Sequence, residues 1–176
     1  MQGLMMDTQL LITGILRFAE QNSPHTEIVS VTHDQPLFRY TYAEAFTRCR
    51  QLANALQALG LNPVDGDRVG TLAWNDHRHF ELYYGVSCSG LVLHTINPRL
   101  FAEQIEYIIN HAGDRVLFVD PVFLPLVEAL YSRLRAVEHV VVLSDRAHMP
   151  ASKVPDLLCY EELLAVNDGD FVWPEV

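Results

Sequence analysis

Lysine is nearly absent from this 176-residue chain: Lys153 is the only one, and the other eleven basic residues are arginine. Twelve basic against 22 acidic side chains leave a net charge of −10. A field of that sign repels phosphate backbones and anionic headgroups, which argues against nucleic acid and acidic membranes as partners. Cysteine is scarce as well. Cys49, Cys88 and Cys159 stand far apart with no C-x-x-C pair, so neither a disulfide framework nor a zinc knuckle is expected, and a cytoplasmic location fits. Long apolar runs are missing. The longest uncharged stretch, Leu82 to Pro98, contains Gly, Ser, His, Asn and Pro, so no transmembrane segment is expected. The apolar run Leu10 to Leu16 follows Asp7 and no basic residue, which reads as a helix of the mature protein. None of the nine glycines falls in G-x-G-x-x-G or G-x-x-x-x-G-K-[ST]. That absence speaks against a dinucleotide fingerprint and a P-loop, whose backbone must approach phosphate without a Cβ in the way.

What remains is a globular composition, 49% hydrophobic and 19% charged. Leu10 to Asn22 reads as an amphipathic helix. Glu27 to His33 and Leu37 to Tyr42, separated by Asp34-Gln35-Pro36, read as a small hairpin. Thr41-x-x-Glu44 is a capping box opening a helix that Gly60 ends. Four apolar strand candidates then follow, Arg68 to Trp74, Leu91 to Ile96, Arg115 to Asp120 and His139 to Leu143, with starts 23, 24 and 24 residues apart. Helical stretches lie between them, at Asp76 to Cys88, Leu100 to His111 and Leu124 to Arg135. This is the pattern of an α/β fold with an open, mostly parallel, doubly wound sheet, the hairpin at its N-terminal side. The expected organisation is an N-terminal helical segment over 1–26, an α/β unit over 27–144, and a loop, short helix and tail over 145–176. The tail ending in Trp173-Pro174-Glu175-Val176 has no evident partner within the chain.

Ligands of open α/β sheets bind beyond the carboxyl ends of the strands. The candidates there are His94, Thr95, Asn97 and Arg99 after the second strand and Asp120 after the third. Arg99 suits a phosphate or carboxylate. The structural alternative makes Asn97 the cap of the next helix with Pro98 at its first position and Arg99 solvated. His94, on a buried strand, reads either as a satisfied core histidine or as a base. Gly85 to Gly90 fails as a nucleophile elbow, since it leads from helix to strand; its small residues would let the helix pack closely on the sheet. His77 and His79, two apart on a helix, do not share a metal and read as surface or half-buried. Asp65-Gly66-Asp67 reads as a turn and Glu161-Glu162 as a solvated helical face. No metal site and no catalytic residue are expected.

Taken in order, Thr41-Tyr42-Ala43-Glu44, Leu52-Ala53-Asn54-Ala55-Leu56, Gly66 to Asn75, His94-Thr95-Ile96-Asn97-Pro98-Arg99-Leu100, Tyr107 to Ala112 and Arg115 to Asp120 resemble the N-terminal part of AMP-forming acyl-CoA synthetases. Within that adenylate-forming superfamily the likeness is greatest to medium- and long-chain fatty-acid ligases. The resemblance implies an incomplete part of a larger ligase domain. It implies a parent enzyme that forms acyl-CoA from fatty acid, ATP and CoA with Mg2+, through an acyl-adenylate. The family's phosphate loop, nucleotide contacts and catalytic lysine have no counterpart here, so this chain by itself is expected to be an inactive scaffold that binds none of these. The resemblance also places the loop after Asp120 toward the CoA nucleotide. It gives the N-terminal helix two open roles: a homodimer contact, or packing on its own subunit. Two readings compete: a stand-alone, non-catalytic α/β module that binds a ligand or partner, and a receiver-type domain with Asp120 as phosphoacceptor. Lys153 lies too far beyond Leu143 to suit the latter.

Overall fold

The computed structural model describes residues 9–174. Residues 1–8 of the N-terminal segment, and Glu175 and Val176 of the tail, lie outside the described residues. In chain order the elements are α1 (Ile12–Asn22), β1 (Glu27–Ser30), β2 (Phe38–Thr41), α2 (Tyr42–Ala58), β3 (Arg68–Leu72), α3 (His77–Cys88), β4 (Val92–Thr95), α4 (Ala102–Ala112), β5 (Asp114–Val119), α5 (Leu124–Leu130), β6 (His139–Val142), β7 (Leu158–Cys159) and α6 (Tyr160–Ala165). β1 and β2 form the antiparallel hairpin. The other five strands form one parallel sheet in the order β4-β3-β5-β6-β7.

Strand alternation divides the core. Val116 and Phe118 of β5 point to one face, where Leu52 and Leu56 of α2, Leu82 and Val86 of α3 and Leu164 of α6 cover them. Leu117 and Val119 point to the other, under Ile105 and Ile109 of α4 and Val127 of α5. Helices on both faces explain why the strands are continuously apolar. Each fully buried Leu or Val contributes about 1.5–3 kcal/mol. A third cluster joins Leu16 of α1, Phe46, Cys49 and Ala53 of α2, Cys88 and Trp173. The capping box forms as the sequence requires. Glu44 N–H donates to Thr41 Oγ1 at 3.3 Å, and Thr41 N–H donates to Glu44 Oε2 at 2.7 Å.

Several expectations are corrected. The tail does have a partner: Trp173 is 5% exposed, packed in the third cluster. β7 extends the sheet by a two-residue strand absent from the sequence reading. α5 ends at Leu130 and gives way to a 3₁₀ turn at Tyr131–Arg133. Gly85 serves helix–helix and not helix–sheet packing, because a Cβ there would meet Leu52 Cδ2 at 2.7 Å and Cys49 O at 3.1 Å. His77 and His79 are buried, at 1% and 5% exposure. Glu161 is no solvated side chain, since two arginines hold it. Asn97 does not cap a helix. α4 starts five residues later, where the Gln104 side chain accepts from Phe101 N–H at 3.1 Å.

Candidate functional site

The strand order reverses between β3 and β5. β3 leads by α3 to β4 on one side, and β5 leads by α5 to β6 on the other. That crevice is the expected binding position, and here it is laced together. Asp120 Oδ2 accepts from Trp74 N–H at 2.9 Å, and Asp120 N–H donates to Leu72 O at 3.0 Å. The rings of Trp74 and Phe123 meet at 5.1 Å. Burial, with the Asp76 charge nearby, raises the Asp120 carboxyl above its ordinary range, opposed by the Trp74 hydrogen bond.

Open space lies on the other side of β3. A groove of about 370 Å³ sits at the carboxyl ends of β3 and β4, lined by Trp74, His79, Tyr83, Thr95, Asn97 and Arg99 among others. Ile96 N–H donates to Thr71 O at 2.9 Å and fixes the base of its loop. Asn97 Oδ1 accepts from Arg99 N–H at 3.0 Å, an Asx turn that directs the chain back along the groove. Beneath it, His79 Nδ1–H donates to Trp74 O at 3.1 Å, which leaves Nε2 to accept from the Thr71 hydroxyl at 3.2 Å. Burial depresses the His79 pKa, so the ring stays neutral and anchors Trp74. Thr95, Asn97 and Arg99 are exposed, and among the described residues no carboxylate pairs with Arg99. This arrangement offers an anion one guanidinium, two small polar side chains and an aromatic wall.

The five predicted residues therefore separate. Thr95, Asn97 and Arg99 share the groove. Asp120 is spent on Trp74, and His94 lies elsewhere. His94 Nδ1 is 2.8 Å from Asp114 Oδ2, a contact that crosses β3. Gly70 makes room for it, since a Cβ there would sit 2.8 Å from Asp114 Oδ2.

Sequence reasoning overlooked a buried charge bonded through all three guanidinium nitrogens. Arg78 is fully buried, with Nη1 and Nη2 donating to the two Asp34 oxygens at 3.0 and 2.8 Å. Its Nε donates to Glu161 Oε1 at 2.8 Å, and Nη1 donates also to Leu143 O at 3.1 Å. Arg48 bridges Glu161 to Glu81, and the Tyr160 hydroxyl donates to Glu81 Oε2 at 2.7 Å. Burial alone would raise the Asp34 pKa, but the Arg78 and Thr32 hydrogen bonds outweigh it and hold the carboxyl well below its usual range. Fully buried Glu81 goes the other way: desolvation raises its pKa against the pull of Arg48. The detectable signal was Arg78, Leu82 and Val86 at spacing four, an arginine on an apolar stripe.

A magnesium triphosphate does not fit the residues present. The one group of candidate ligands among the described residues is Asp34, Asp145 and His148, with ligand atoms within 4.8 Å of one another. Both Asp34 oxygens already accept from Arg78, and Asp145 Oδ1 accepts from His148 N–H at 2.9 Å. A hard cation there would have to displace a buried guanidinium. Among the described residues no helix is long and apolar enough to cross a membrane.

Comparison with known proteins agrees with this fold. Residues 16–166 match the AMP-binding enzyme family. The chain is 48% identical over 174 residues to a 3-methylmercaptopropionyl-CoA ligase of Ruegeria lacuscaerulensis, covering 99% of this chain and 32% of that protein. It is 41% identical to a medium-chain-fatty-acid–CoA ligase of Ectopseudomonas oleovorans, covering 100% of this chain and 32% of that protein. In structure it resembles the anthranilate CoA ligase AuaEII in complex with anthranoyl-AMP, with TM-score 0.76, 25% identity, and 90% and 29% of the two chains covered. The chain thus spans about a third of the length of the curated relatives it matches, and it belongs to the AMP-binding enzyme family.

Proposed function

We propose that this polypeptide is the scaffold part of a fatty-acid–CoA ligase, and that its Thr95–Asn97–Arg99 groove forms a wall for the anionic part of CoA. The parent reaction joins a fatty acid to CoA at the expense of ATP, with Mg2+ and an acyl-adenylate. The chemistry of the phosphates belongs to residues outside this chain, which carries no such glycine cradle and, among its described residues, no free carboxylate set for the metal. The carrying observation is Arg99, an exposed guanidinium without a carboxylate partner among the described residues, at the carboxyl end of a parallel sheet and beside an exposed indole. His94 and Asp120 act at one remove here, by holding β4 to β5 and by fixing Trp74.

The test uses Trp74, which is 47% exposed while Trp173 is buried. Here the open groove beside Arg99 leads us to depart from the expectation that the chain by itself binds no CoA: titration with CoA is expected to change the Trp74 emission saturably. Arg99→Ala is expected to weaken that binding about tenfold or more, the value of one charge-assisted contact. Its thermal midpoint should stay unchanged, because Arg99 is exposed and has no carboxylate partner among the described residues to lose. Equal CoA affinity of the two proteins would refute the assignment.

A further inference from the structure

The β1–β2 hairpin stands apart from the parallel sheet, and one edge of β1 is open. Tyr42 N–H donates to Thr26 O at 3.1 Å, so these two residues are a hydrogen-bonded pair of the antiparallel ladder. Such pairs recur at every second residue, which makes Ile28 with Tyr40 and Ser30 with Phe38 the next ones. The N–H and C=O groups of Glu27 and Val29 consequently point away from β2. No described residue bonds to them there.

A groove of about 500 Å³ follows that open edge. One wall is Ile28, Val29, Ser30 and Val31. Successive strand residues face opposite sides, so a groove touching all four runs along the edge and not over one face. The opposite wall is the first two turns of α3, where Phe80 and the partly exposed Tyr83 look across at β1. Ser30 Oγ accepts from His77 N–H at 3.0 Å and fixes the spacing between the walls. Among the described residues Asp76 is the only carboxylate in the lining, and no lysine or arginine lines it.

We propose that this groove receives an extended polypeptide segment that joins β1 as a third strand, with apolar side chains at alternate positions against Phe80 and Tyr83 and a basic residue toward Asp76. A row of outward donors and acceptors repeating every second residue is matched by the backbone of another strand, and a strand edge facing a helix is a recurring peptide-binding arrangement. Four residues at about 3.3 Å each give a segment roughly 13 Å long. Charge selects the occupant. With Asp76 in the groove and a net charge of −10, a basic segment is favoured. A second copy of β1, which opens with Glu27, is disfavoured. The inference goes beyond the CoA reading and does not need it, since no acyl substrate or CoA enters the test.

The probe is a fluorescein-tagged acetyl-Lys-Thr-Val-Thr-Val-amide, whose Lys and Val side chains share one face of the strand, with two partners N-methylated on the odd or on the even residues. The full chain is expected to bind the parent peptide saturably. Only one methylated peptide should lose affinity, about tenfold for two lost backbone hydrogen bonds. At saturation the amides of Glu27 and Val29 should gain hydrogen-exchange protection, and Tyr83→Asp should weaken binding without unfolding the chain. Absence of saturable binding at about 1 mM peptide would overturn the proposal. So would equal binding of all three peptides, or the same protection arising from self-association without peptide.

Discussion

Arg78→Met is expected to destabilise the chain by about 3–5 kcal/mol, the cost of stranding buried carboxylates after their cation is removed. Arg78 and Asp34 side chains are both fully buried, and Glu161 is 25% exposed. With the guanidinium gone, Asp34 keeps Thr32 Oγ1–H, at 2.5 Å, the long contact from Asp145 N–H, at 3.4 Å, and the His33 ring, with Nδ1 at 3.8 Å. Leu143 O loses a donor at the carboxyl end of the sheet. The damage is therefore to the junction of the 32–35 turn, α3, β6 and α6. Urea unfolding with a double-mutant cycle over Arg78 and Asp34 checks this. The expected coupling is above about 1 kcal/mol, since contacting residues in one network are not additive. A loss below about 1 kcal/mol for Arg78→Met would place the network at the surface in energetic terms.

His77 is expected to make the fold acid-sensitive well above the carboxylate range. Its ring stacks on Phe38 at 3.9 Å between centroids, and neither ring nitrogen has a hydrogen-bond partner. Burial first, then the charges of Arg78 and Arg48, push its pKa down to about 3 from 6.5. The sign follows directly. Between these two values the unfolded chain binds a proton that the folded chain refuses, so stability falls as pH falls. The full window corresponds to about 5 kcal/mol, and the interval from pH 7 to pH 5 to about 2 kcal/mol. His79, also depressed by burial, adds in the same direction. Carboxyls raised by burial, such as Asp114 and Asp120, act in the opposite direction. His77→Phe keeps the stack and breaks no side-chain hydrogen bond. Stability measured by denaturant at pH 7 and pH 5 should show the pH 5 deficit shrinking by about 2 kcal/mol in the variant. An unchanged deficit would mean that the ring is hydrated in the folded state.

Both effects lie in residues that the sequence presents ambiguously. His77 and His79 flank Arg78, and the trio reads as a polar helical turn until the hairpin is placed over it. The even pacing of Arg68, Leu91, Arg115 and His139 was enough for the parallel sheet, because β–α–β units repeat at that length. Spacing carries no strand order, however. That is why Asp120 and Arg99, both at carboxyl ends, end on opposite sides of β3. His94 differs from Thr95 by one residue and so faces the other way, toward Asp114. Thr95, Asn97 and Arg99 stay together because a single turn holds them. β7 was not legible, since two residues after Pro155 make no periodic signal and their pairing comes wholly from β6. Trp173 docks on α1, α2 and α3, a contact between chain ends that local reading does not reach.

Acyl-dependent pyrophosphate release by this chain, with Mg-ATP and a fatty acid supplied, tests the whole account. A platform whose single lysine sits in a proline-bounded loop and whose buried arginines are already paired should release none above background. Release at a rate comparable to that of a ligase containing this sequence would contradict it.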